Sequence, residues 1–137
     1  MEQTLKYIEL KSGFGDNGPA WIGVPDFSKS GRTVYFNNKA LKSSSGTGIA
    51  GNYYDLETGD EYWVSGVKKD GTDRHWAGGG KIMIDRNVVD LYLDHVNFNV
   101  LDKKQFEIVD ILPTDKQRFS KIENQPLTET TYKNQSI

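Results

Sequence analysis

RTVYFNNKALK, residues 32–42, is the stretch whose reading decides the fold. Two runs of β-favouring residues flank Asn37-Asn38, and asparagine is one of the few residues that accept the positive φ needed at both centres of a type I′ turn. A turn at that dipeptide sets the register. Phe36 then pairs with Lys39, Tyr35 with Ala40 and Val34 with Leu41. Alternation along the strands places Val34, Phe36 and Leu41 on one face, the predicted core, and Thr33, Tyr35 and Lys42 on the other.

Working outward, TLKYIELK (4–11) and AWIGV (20–24) read as two strands separated by the turn-rich GFGDNGP. Downstream, the Gly/Ser-rich SSSGTGIAG leads into GNYYDLETGDEYWVSG, where Glu57–Asp60 forms a turn between aromatic strands. Asp70-Gly71, a strong two-residue turn signal, predicts one more hairpin across 65–76. Three closely spaced reversals make an antiparallel meander. With this much glycine and such short strands, the meander is expected to coil into a small SH3-like open barrel, which limits exposed edges. After KIMID, Asp85 is placed to cap a short helix, RNVVDLYLDHV, whose apolar side comprises Val88, Val89, Leu91, Tyr92 and Val96. A C-terminal strand, QFEIVDIL, stops at Pro113. The expected organisation is one mainly β domain over residues 1–112 and a flexible polar tail over 113–137.

Composition sets outer limits on function. A chain of 137 residues holds one domain with a real core. Having no cysteine, it has no disulfide, thiolate metal site or cysteine nucleophile. No basic segment followed by an apolar run opens the sequence, and no stretch approaches a membrane span, so a cytoplasmic protein without a membrane partner is expected. The net charge of −2 argues against a protein that coats nucleic acid everywhere. Its distribution is uneven, however: residues 27–54 contain no acid, while Lys29, Arg32, Lys39 and Lys42 supply positive charge.

The segments GPAWIG, FSKSGRTVYFN, GNYYDLETGDEYWVSGVKKDG and DRHWAGGGKI, spread over residues 4–86, resemble a family of short bacterial proteins without an established activity. Those proteins often carry the automatic label 1-deoxy-D-xylulose-5-phosphate synthase. The resemblance supports the fold; the label implies thiamine-diphosphate chemistry that these residues do not suit. Such a synthase needs two domains around its cofactor and a Gly-Asp-Gly motif with a downstream Asn. Here Gly15-Asp16 runs into Asn17, Asn37 and Asn38 already have a turn to make, and one small barrel supplies only one wall. No cofactor is expected.

Two stretches compete as sites. DRHWAGGG (73–80) gathers Asp73, Arg74, His75 and Trp76, but the Asp70-Gly71 register divides them. Arg74 and Trp76 join Trp63 and Val67 on one face, with the two indoles expected in contact in the core. Asp73 and His75 join Tyr62, Val64 and Lys68 on the other. His75 is the weak catalytic candidate, for a metal-independent hydrolase or nuclease, since no nucleophile or second partner accompanies it. The rival reading of Arg74 and Trp76 is an exposed ring beside a guanidinium, suited to a planar ligand. Without cysteine, and with only two histidines, no metal site is expected.

The basic hairpin is the better binding candidate. Lys29 and Arg32 lead into it, Tyr35 and Lys42 share its outward face, Lys39 sits at its tip, and Tyr53 and Tyr54 neighbour it. Cations neutralise phosphate and a ring stacks on any base, which is what single-stranded nucleic acid requires. The expected function is therefore a non-catalytic binding module for RNA or single-stranded DNA. The alternative is a protein-interaction module of antitoxin or immunity type.

Overall fold

Asn37 and Asn38 adopt φ of 51° and 64°, and the strands on either side pair as their sequence requires: Thr33 with Lys42, Val34 with Leu41, Tyr35 with Ala40, Phe36 with Lys39. The computed structural model describes residues 4–14, 17–44, 51–74 and 80–124. In chain order the elements are β1 (Lys6–Leu10), β2 (Ala20–Gly23), β3 (Asp26–Phe27), β4 (Thr33–Phe36), β5 (Lys39–Ser43), β6 (Tyr53–Asp55), β7 (Glu61–Gly66), β8 (Ile82–Asp85), α1 (Val89–Val96), β9 (Phe106–Val109) and α2 (Lys116–Asn124).

The protein is mainly β, a nine-stranded sheet in the order β3-β4-β5-β6-β7-β1-β2-β8-β9, curled into a half-barrel. The expected antiparallel meander is present from β3 to β7, and β1 joins it through β7 and β2. Beyond β2 the sheet changes character, because β8 and β9 add in parallel with α1 as the connection between them. No described helix is long and apolar enough to cross a membrane.

Strand alternation divides the core. Ile8, Val34, Phe36, Leu41, Tyr62 and Val64 fill the inside of the curl, with Trp21 and Ile111 packed against them. Gly23 shows how tight the curl is: a Cβ there would lie 2.5 Å from the Phe36 ring. Four strands separate β2 from β4 in the sheet, so that contact exists only because the sheet bends round on itself. Gly23→Ala therefore forces a buried ring aside and is expected to cost about 1–3 kcal/mol in denaturant unfolding.

The outer face of β1, β2, β8 and β9 is covered by α1. Asp85 Oδ1 accepts the Asn87 N–H (3.0 Å) and opens a 3₁₀ turn at Arg86–Val88, from which the helix continues. Val88, Tyr92 and Val96 recur at helical spacing and bury against Tyr7, Ile22, Ile82 and Phe106. As expected, Asp85 is the cap. Its replacement by Ala should cost about 0.5–2 kcal/mol of stability, read from the thermal midpoint.

Three expectations need correction. Asp70-Gly71 does turn, with Gly71 at φ 77°, but β7 ends at Gly66 and no strand returns among the described residues to 74. Both edges of β7 are taken: β1 holds one, and on the other the Asn52 side chain bonds both the N–H and C=O of Val64 (2.8 and 2.7 Å) beyond the end of β6. The tail expected from 113 onward begins instead with α2, whose Phe119 is fully buried with Tyr35 and Ala40. Trp63, expected in the core against Trp76, is 42% exposed on the outer face, and Trp76 lies outside the described residues.

Between β9 and α2 the chain crosses to the tip of the β4–β5 hairpin. The Leu112 N–H donates to Asn37 Oδ1 (3.1 Å), and the Asn38 N–H donates to Thr114 Oγ1 (2.8 Å). Arg118 donates to Asn38 Oδ1 and to Glu57 Oε1. The two asparagines thus make the turn and also fasten the C-terminal chain to it.

Candidate functional site

The loop from Ser28 to Arg32 is held in shape by its own serines. Ser28 Oγ accepts the Thr33 N–H (3.1 Å), Ser30 Oγ accepts the Arg32 N–H (3.3 Å), and Gly31, at φ 75°, donates to the Ser28 carbonyl. Ser43 in β5 then bonds the Arg32 carbonyl (2.8 Å), tying the loop to the hairpin. The result is an open cleft of about 590 Å³ lined by Phe27, Ser28, Lys29, Ser30, Arg32, Thr33, Tyr35, Lys42 and Lys116.

Its electrostatics are one-sided. Four cations and no carboxylate line the cleft. Among the described residues, Lys29, Arg32 and Lys42 have no ion-pair partner. Lys116 is 3.7 Å from Asp26, a pair with both side chains at least half exposed and hence weak. The Lys116 amine also sits 5.3 Å above the Tyr35 ring, so α2 contributes a cation that the hairpin alone lacks.

The expected site residues separate. Lys29, Arg32 and Lys42 come together in the cleft. Tyr35 lines it but is only 6% exposed, because Phe119 and Lys116 cover the ring; it serves as floor and not as a stacking surface. Lys39 belongs to the opposite strand face and pairs with Asp55 Oδ2 at 3.3 Å. Tyr53 packs toward the inner core, whereas Tyr54 pairs with Lys42 on the outside. Arg74 is spent on structure: its guanidinium donates to the Gly18 carbonyl (2.8 Å) and the Lys81 carbonyl (3.4 Å) and lies 3.8 Å from Glu9. His75, like Trp76, lies outside the described residues. Its neighbour Asp73 accepts the Lys68 N–H (2.8 Å), and burial raises its carboxyl above the usual range.

Sequence reasoning missed a buried polar network and one cleft lysine. Glu9 is 1% exposed; Tyr7 O–H donates to its Oε1 and Lys11 Nζ lies 2.9 Å from its Oε2. Burial and the adjoining carboxylate push the Tyr7 phenol far above its ordinary value. The signal was the spacing: Tyr7 and Glu9 alternate along β1 and share a face, and Lys11 follows two residues on, just past the strand's end. Among the described residues no group of three or more His, Asp or Glu is arranged to hold a metal ion. Comparison with protein-family models, curated proteins and solved structures finds no match for the chain.

Proposed function

We propose that the protein is a non-catalytic binding module whose Lys29–Lys42 cleft takes single-stranded RNA or DNA. The observation that carries this reading is the cleft itself, in which four cations converge without a carboxylate on its walls. Lysine and arginine around a groove neutralise phosphates and release their counterions. The serine hydroxyls of the loop add donors for phosphate or sugar oxygens.

The test is fluorescence anisotropy with labelled oligo(dT) and oligo(U) across a salt series. Four phosphate contacts on a single strand give a log–log slope of about −3, which is about a 50-fold loss of affinity between 50 and 200 mM salt. A Lys29→Glu/Arg32→Glu variant of unchanged circular dichroism should lose binding at every salt concentration tested. Absence of saturable binding at 50 mM salt, or a slope near zero, overturns the reading.

A further inference from the structure

The outer face of the sheet between the two helices carries a strip that packing does not account for. α1 covers β1, β2, β8 and β9, and α2 covers the Tyr35–Ala40 end of the β4–β5 hairpin. On the strands between them Lys42 stands opposite Tyr54, and Tyr54 opposite Glu61. Trp63 follows two residues along β7 on the same side, diagonal to Tyr54. A tryptophan in an interior strand is expected under a layer of structure, yet this one is 42% exposed, and Tyr54 is half-buried. Lys42 belongs to both features: it lines the basic cleft and begins the aromatic strip.

We propose that a single strand anchored by its phosphates in the cleft continues past Lys42 and stacks successive bases on Tyr54 and Trp63. This rests on the reading of the cleft as a nucleic-acid site and extends it to a two-ring platform. Diagonal neighbours on adjacent strands are about 7–8 Å apart, a step that an unstacked single strand spans from one base to the next. Charge sets the direction. Phosphate is attracted at the Lys29, Arg32 and Lys42 end and repelled beside Glu61, so the backbone stays toward the cleft while the bases, which carry no charge, lie over the rings.

The experiment compares wild type, Trp63→Ala and Trp63→Phe with oligo(dT) and with an abasic oligonucleotide of equal length. Trp63→Ala should weaken oligo(dT) about tenfold, leave the salt slope unchanged, and leave abasic binding as in wild type; Trp63→Phe should restore most of the loss. In wild type, oligo(dT) should quench tryptophan fluorescence, and that quench should be missing in Trp63→Phe, a readout independent of any loss of stability. If Trp63→Ala binds oligo(dT) as wild type does and the quench persists in Trp63→Phe, the platform is wrong while the cleft stands. If wild type binds no oligonucleotide at all, both fall.

Discussion

Glu9→Ala is expected to lose about 3–5 kcal/mol of folding free energy, measured by urea unfolding. The Glu9 side chain is 2% exposed, and the side chains that face it, Lys11 and Arg74, are only 12% and 11% exposed. Removing it strips both cations of this counter-charge and leaves the buried Tyr7 hydroxyl without its acceptor. A typical domain has about 5–15 kcal/mol in total, so the loss brings the chain close to the unfolding threshold. Glu9→Gln separates the two contributions, since it keeps an acceptor for Tyr7 and discards the charge. Its cost should fall between zero and that of the alanine variant. A Glu9→Ala loss below about 1 kcal/mol would mean that the network contributes little.

Phe119→Ala should remove about 3–5 kcal/mol from the docking of α2, because the ring is fully buried between Tyr35 and Ala40. Most of that loss is local. Amide exchange should accelerate across residues 116–122 while β1, β2 and β7 keep their protection. On the proposed nucleic-acid reading of the cleft a second effect follows from Lys116: with α2 released, the cleft loses one cation, and the salt slope for oligonucleotide binding should fall in magnitude by about 0.7. Unchanged exchange in α2 would show that Phe119 is not what holds the helix.

Local rules reached far into this fold. The Asn37-Asn38 turn with its register, the Glu57–Asp60 reversal and the Asp85 cap all depend on a few neighbouring residues and could be read directly. The hairpin expected at Asp70-Gly71 failed for a non-local reason, since Asn52 and β1 had already claimed the hydrogen-bonding edges of β7. α2 escaped notice because one residue, Phe119, does the burying, and a single apolar position has no periodicity to detect.

The site was readable to the same depth. Lys29, Arg32 and Lys42 stood out as cations in an acid-free stretch, and the structure gathers them. Lys116 joins them from far along the chain, and Lys39 is lost to Asp55, both by tertiary packing that composition does not encode. Exposure was the hardest property to foresee. Tyr35 and Trp63 both face outward from their strands, but a helix lies over the first and the second is left half open.

The fastening of residues 112–118 to Asn37, Asn38 and Glu57 bears on the order in which this protein is completed during synthesis. The hairpin tip leaves the ribosome some seventy residues ahead of its clasp. Until then the nascent chain can pair its first strands but holds an unfinished groove. Lys116 reaches the groove only with that clasp, so the fourth cation of the cleft is supplied after the hairpin that carries Lys42.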